Sequence, residues 1–320
     1  MQLSCGIAPG PNAPAEAKIA ESLGYQRVWL FDSPALYTDM WINLARVADA
    51  TQSIGLGTAV LVPSLRHVVT TAAAITTIEM LAPGRLAVAI GTGFTARFML
   101  GQTPLTWKVT EQYIRDLRDL LAGKMIELDG GLTRLQHPEG YSVPLPLNIP
   151  ILVAANGPKG LAVAKELGDG VMSVAAPQAG FDWSALLTLG SVLEDGEDFE
   201  TPRVFEALGP GIAAMYHGTY EAAGEGVDAL PGGKEWREAI EQVPEAERHL
   251  AIHTDHMVRL TDLDRKFIAP ALGAALFAGT REQLRKRTED LSSAGLSEIL
   301  YVPTGGDVER ELTAMAEAIL

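Results

Sequence analysis

Apolar residues fall along this chain in two alternating kinds of run. Short, continuous apolar runs stand at Arg27-Val28-Trp29-Leu30-Phe31, Leu86-Ala87-Val88-Ala89-Ile90, Val171-Met172-Ser173-Val174 and Ile299-Leu300-Tyr301-Val302. Each follows, within a few residues, an amphipathic stretch that ends at a glycine: Gly24, Gly84, Gly168 with Gly170, and Gly295. Glycine supplies the left-handed residue that stops a helix, and continuous apolar runs suit strands buried on both faces. Repeated helix–glycine–strand units predict an α/β protein with a parallel sheet.

The pattern yields eight strands, at 2–8, 27–32, 55–62, 86–91, 150–155, 170–175, 203–216 and 298–303. Helical patterns lie between them, for example Glu111 to Leu121 and Thr280 to Leu291, the latter opening with a capping box, Thr280-x-x-Gln283. Eight βα units in this length match a (β/α)8 TIM barrel, with an open doubly wound sheet as the competing arrangement. Two stretches break the spacing. Residues 122–149 are loop-like and contain Pro138, Pro144 and Pro146, and residues 217–270 are Gly-rich and then charged. The chain therefore reads as one domain, 1–320, with both insertions on the C-terminal rim, where they shape a pocket or lid or form dimer surface.

Charge narrows the partners. The chain has 25 basic and 40 acidic residues, a formal −15, which argues against nucleic acid and anionic membranes. A small anionic ligand stays possible through a local N–H-rich pocket. The single cysteine, Cys5, excludes a disulfide framework and any Cys-based metal site. The start, MQLSCGIAPG, lacks the basic and apolar segments of a signal peptide, and no apolar stretch reaches the roughly 18 residues of a membrane span. A soluble cytoplasmic enzyme is the expectation.

Three Gly-rich junctions are the main chemical signal. Strand 86–90 runs into Gly91-Thr92-Gly93-Phe94-Thr95-Ala96, formally a dinucleotide fingerprint. Its context is wrong: the next strand begins near 150, and Glu111 and Asp116 sit in mid-helix. As a βα loop it still offers Thr92 and Arg97 to a ligand. Ala155-Asn156-Gly157-Pro158-Lys159-Gly160 follows a strand and opens a helix, where free N–H groups and the helix dipole attract anions; a plain tight turn is the alternative. Thr304-Gly305-Gly306-Asp307 is the third. His249, His253 and His256 have helical spacing, but no cysteine or carboxylate pairing completes a metal site; an exposed polar helix face is favoured and no metal is assigned. No nucleophile elbow or Walker A motif is present. Anion-binding loops without obvious acid–base machinery point to a cofactor that brings its own chemistry.

Gly55-Leu56-Gly57-Thr58-Ala59-Val60 running into Pro63-Ser64-Leu65-Arg66-His67, then Ala89-Ile90-Gly91-Thr92-Gly93, Asn156-Gly157-Pro158-Lys159 and Gly168-Asp169-Gly170, resembles the luciferase-like monooxygenase superfamily. The resemblance is closest to the branch that uses the deazaflavin coenzyme F420, spans nearly the whole chain, and is weakest over 217–270. It implies a (β/α)8 barrel, often homodimeric, with the cofactor at the C-terminal face of the strands. Asp32 matches the family residue near the deazaflavin ring, and Ala59-Val60 a non-prolyl cis peptide behind that ring. Thr92, Gly93 and Arg97 match cofactor contacts on the fourth loop, and Asn156, Gly157, Lys159 and Gly160 the phosphate-binding turn.

Two positions depart from the sugar-phosphate dehydrogenases of this branch. Ser33 stands where they carry a histidine and Phe94 where they carry an acid. The resemblance then implies a more apolar pocket for a small neutral or aromatic substrate, lined by Ser33, His67, Phe94 and Trp107, with no identified catalytic acid. The expected activity is hydride transfer between coenzyme F420 and a small organic molecule. The alternatives are an FMN-dependent monooxygenase supplied by a separate reductase, a non-catalytic flavin-binding barrel, and a zinc hydrolase using the 249–256 histidines.

Overall fold

The computed structural model describes residues 1–320. Its central strands are β1 (Gln2–Ile7), β2 (Arg27–Leu30), β3 (Gly55–Leu61) and β4 (Leu86–Ile90), followed, after a small hairpin of β5 (Ile126–Leu128) and β6 (Gly131–Thr133), by β7 (Ile151–Ala154), β8 (Gly170–Ser173), β9 (Ser184–Leu189) and β10 (Glu298–Val302). Apart from the hairpin, all pair in parallel and close into a barrel in the order β1-β10-β9-β8-β7-β4-β3-β2. Outside it lie α1 (Ala13–Ser22), α2 (Met40–Ala50), α3 (Val68–Leu81), α5 (Trp107–Leu121), α6 (Pro158–Leu167), α11 (Arg281–Ser293) and α12 (Val308–Ile319), with a single turn, α4 (Thr95–Phe98), in the fourth loop. No helix is long and apolar enough to cross a membrane.

Side-chain alternation explains why these runs form this barrel. In β4 all five residues are buried, but Leu86, Val88 and Ile90 join the core between strands and helices while Ala87 and Ala89 face the barrel interior. Large residues outside and small ones inside leave room for Trp29, Leu152, Met172 and Leu300 to fill the axis. Deep in the barrel, fully buried Glu298 accepts hydrogen bonds from the indole N–H groups of Trp29 (2.8 Å) and Trp183 (2.6 Å). Helix starts are fixed locally: Asp39 caps α2, Asp307 caps α12, and the capping box of Thr280 and Gln283 opens α11 as the spacing predicts.

The expected seventh strand is corrected. Residues 203–216 belong to α7 (Pro202–Ala223), whose buried Val204, Ala207, Leu208, Ile212 and Tyr216 recur at helical spacing. The barrel's seventh strand is β9, reached from β8 through residues 174–183 with no helix between. Without that helix and its terminal glycine, β9 carries none of the signals that mark the other strands.

The two insertions lie at opposite ends. The hairpin region follows α5, which runs back towards the strand starts, and Leu147 N–H bonds the Leu121 carbonyl (2.8 Å) just before β7 begins. Residues 122–149 therefore sit at the N-terminal ends of the strands and not on the rim expected for them. The second insertion is on the C-terminal rim and is longer than the sequence pattern indicates. It runs from the end of β9 to α11, pinned at its base by a bridge between Val192 and Gly279. It contains α7, α8 (Gly233–Ile240), α9 (Glu245–Ile252) and α10 (Asp262–Phe267), and has its own core around Leu208, Ile212, Tyr216, Trp236 and Ile240. The 304–307 junction holds this unit in place: Thr304 donates to the Ala207 carbonyl, and a Cβ on Gly305 would lie 2.6 Å from the Glu206 carbonyl oxygen.

Candidate functional site

A cavity of about 210 Å³ opens at the C-terminal mouth of the barrel. Strand ends build it in turn: Phe31, Asp32 and Ser33 after β2, Ala59, Val60 and Val62 on and after β3, Gly93 and Phe94 after β4, Ala154 and Asn156 on and after β7, Met172 and Val174 at β8, and Leu187 on β9. Tyr37, His256 and Met257 close the remaining side. The lining is mostly apolar, so it favours the apolar part of a ligand.

The cis peptide expected in the third strand is present, and with it a bulge. The Ala59–Val60 peptide is cis, and the pairing of β3 with β4 shifts register between Thr58 and Leu61. Gly93, at φ +77°, lies so close to Val62 that a Cβ would stand 2.5 Å from its Cγ1. Both the left-handed backbone and the close approach require glycine there.

Asp32 is 3% exposed and lies on the cavity wall. Its carboxylate accepts from the Arg66 guanidinium (3.0 Å) and the Val62 N–H (3.3 Å), and Arg66 also pairs with Asp39 (2.9 Å). Burial nevertheless pushes the Asp32 carboxyl above its ordinary range, with Arg66 only partly offsetting it.

Asn156 stands at the cavity edge with its side-chain oxygen accepting from Ser173 Oγ (2.8 Å) and Val174 N–H (3.0 Å). This fixes its amide orientation. Gly157 is the N-cap of α6 and supplies no side-chain cap, while Pro158 takes the first helical position. The N–H groups of Lys159 and Gly160 donate to no protein acceptor, and a Cβ on Gly157 would meet open space. Free donors, the helix dipole and the Lys159 ammonium make this turn an anion cradle beside the apolar cavity.

Of the other residues expected from sequence, four stand off the cavity wall. Thr92 is buried, and its carbonyl accepts from Leu105 N–H (2.9 Å). Arg97 reaches Ser64 Oγ (2.7 Å) and the Thr103 carbonyl, lacing the third and fourth loops together. His67 caps α3 through its Nδ1 and faces solvent. Trp107 packs on Gly160, close enough that a Cβ there would lie 2.3 Å from its ring. It supports the cradle instead of lining the pocket.

Residues the sequence did not single out complete the wall. Met172 and Leu187 lie on barrel strands, a place that marks them once the strands are known. Tyr37 donates to the His256 carbonyl (2.7 Å), tying the second loop to the rim unit. The histidine grouping is also corrected: His249 stands apart near Gly101, and His217 of α7 joins His253 and His256 instead. His217 Nε2 lies 3.1 Å from Asp264 Oδ1 and His253 Nε2 2.6 Å from Glu221 Oε1. Burial and the two neighbouring imidazoles push His256 down to about 3, so it is neutral at physiological pH.

Comparisons with known proteins bear on the family and the fold. The chain is 31% identical over 193 residues to a 5,10-methylenetetrahydromethanopterin reductase of Methanolobus tindarius, covering 57% of this chain and 56% of that protein. It is 32% identical over 170 residues to an F420-dependent hydroxymycolic acid dehydrogenase of Mycobacterium tuberculosis, covering 49% and 47%. The chain thus spans about half the length of the curated relatives it matches. In three dimensions it resembles a coenzyme F420-dependent tetrahydromethanopterin reductase of Methanopyrus kandleri, with a TM-score of 0.66 at 21% identity over 100% of this chain and 99% of the other. An F420-dependent secondary alcohol dehydrogenase matches equally, with a TM-score of 0.66 at 19% identity over 100% and 98%. Residues 6–298 match the model of the luciferase-like monooxygenase family, and the chain belongs to that family.

Proposed function

We propose that this chain is an oxidoreductase that holds coenzyme F420 at the barrel mouth and passes a hydride between it and a small, neutral or apolar organic molecule. One observation carries the reading: an apolar slot at the C-terminal face of the strands lies directly beside the uncapped amides of α6. A phosphorylated cofactor with a flat ring needs both halves. The F420-dependence in the name of the mycobacterial relative supports the same choice over about half the chain.

The residues present fit such a group. Asn156, Gly157, Lys159 and Gly160 would hold its phosphate, and Ala59, Val60, Met172 and Gly93 would flank its ring. When bound, the deazaflavin supplies two-electron hydride chemistry. The protein's part is to position and to exclude water. Asp32, held by Arg66 and Val62 N–H, fixes the polar edge of the slot. Phe94, which is 60% exposed, and Met257 offer apolar surface to a substrate at the mouth.

The test is to titrate the purified apoprotein with F420 and with FMN, then follow oxidation of reduced F420 in the presence of enones, imines and nitroaromatics. Micromolar binding of F420 without FMN, and acceleration by at least one acceptor class, is the expected result. Binding of FMN alone would turn the reading to the oxygen-using alternative. Binding of F420 with no accelerated acceptor would leave a storage or sensing barrel.

A further inference from the structure

We propose that His217, His253 and His256 form a binding site for one divalent transition-metal ion of the zinc type, set in the rim unit directly behind the cavity wall. One ring nitrogen from each histidine lies within 4.8 Å of the other two. The Nδ1 atoms of His253 and His256 are 3.4 Å apart, long for a hydrogen bond between imidazoles. Two nitrogens each about 2.0–2.1 Å from a tetrahedral ion are about 3.3–3.4 Å apart. The rest of the triangle closes to that spacing by side-chain movement of at most about 1.4 Å.

The surroundings match a metal site at the next layer out. Metal-bound histidines commonly donate their second N–H to a carboxylate. Here His217 Nε2 is on Asp264 and His253 Nε2 on Glu221, and Asp264 is itself held by Trp236 Nε1 (2.8 Å) and Thr261 Oγ1 (2.6 Å). That leaves Nδ1 of His217, a residue only 3% exposed, with no partner at all. Neither carboxylate has a lysine or arginine within ion-pair distance. A divalent cation among the three imidazoles offsets both charges. Asp255 and Met257 flank His256 with left-handed backbone, φ 53° and 63°, a conformation a non-glycine residue adopts only when its surroundings impose it.

The ion would join α7 to the 253–257 turn and so fix His256 and Met257, the rim unit's contribution to the cavity. This assignment does not depend on which cofactor the barrel holds. The full-length protein, stripped with a chelator, is titrated with Co²⁺ and then with Zn²⁺. We expect one equivalent of Co²⁺ to bind with the visible absorption of a four-coordinate nitrogen-ligated ion, one equivalent of Zn²⁺ to displace it, and Zn²⁺ to raise the melting temperature. His253→Gln and His256→Gln should abolish the spectrum, Asp264→Asn should weaken binding by about 10–100-fold, and His249→Ala should leave it unchanged. The absence of saturable uptake by the parent protein overturns the proposal, as does uptake that survives substitution of the three histidines, an adventitious ion only. The parent titration decides the matter even where a variant fails to fold.

Discussion

Gly160→Ala tests the link between packing and binding at the α6 turn. Inside a helix alanine ordinarily gains about 1 kcal/mol over glycine. Here the new methyl would stand 2.3 Å from Trp107 Cζ2 and 2.8 Å from the Ala155 Cβ. The indole is rigid and Ala155 is fixed to the backbone, so the overpacking cost sits near the top of the usual range of about 1–3 kcal/mol. The net loss is then about 2 kcal/mol. At about 2.1 cal/mol/K per residue, a chain of this length loses roughly 3 °C in melting temperature. The same displacement should move the Lys159 and Gly160 amides off a bound phosphate. Losing one hydrogen bond to a charged group costs about 1.5–3 kcal/mol, or roughly 10–150-fold in affinity. Gly157→Ala is the control, because a Cβ there enters open space at φ −110°; it should stay within about 1 kcal/mol of the parent. Trp107→Leu should relieve the clash, so that the double variant recovers at least about 1 kcal/mol relative to additivity. Calorimetric melting and titration with F420 read both effects. Strict additivity with Trp107→Leu, or a Gly160→Ala protein that melts and binds like the parent, would refute the packing argument.

Three further outcomes follow from hydrogen-bonded carboxylates. Burial raises Asp32 above its ordinary value of 3.8, so the folded state holds its proton more tightly than the unfolded chain and stability falls as pH rises through that window. The melting temperature of Asp32→Asn minus that of the parent should therefore increase from pH 3 to pH 7, and a flat difference contradicts the assignment. Glu197 has the opposite sign, because the Arg203 guanidinium beside it lowers it from 4.5 to about 2; Glu197→Gln should cost stability at pH 7 but converge on the parent as acid takes the pH through that range. Glu298→Gln leaves one of the Trp29 and Trp183 indole donors without an acceptor. It should lower the melting temperature by about 2–4 °C, from about 1–3 kcal/mol for the orphaned group, and an unchanged melt would show that water or a shifted ring replaces the bond.

Most of the barrel could be read from the chain because its signals are local. Seven of the eight strands are continuous apolar runs set off by turns or glycines, and the Asn156–Gly160 turn declares itself by residue type at a strand end. β9 could not be read, since it follows β8 without a helix, whereas the apolar stretch 203–216 imitates a strand until its length and buried spacing are seen in three dimensions. The cavity was legible on the strand side, at Asp32, Ala59, Val60, Gly93 and Asn156. It was not legible on the rim side. Tyr37 meets His256 across 219 residues, and His217 meets Asp264 across 47. Such pairs are made by tertiary folding alone, so no periodicity records them. Trp107 shows a subtler case: it stands behind the turn, against Gly160, and not on the pocket wall.

The rim unit, with its own hydrophobic interior and its two ends pinned together at Val192 and Gly279, makes the protein modular on one side of the cavity. Exchanging that block between relatives would rewrite one face of the pocket while the strand ends stayed as they are. One wall of the pocket can be varied in this architecture like a removable cover on a fixed housing.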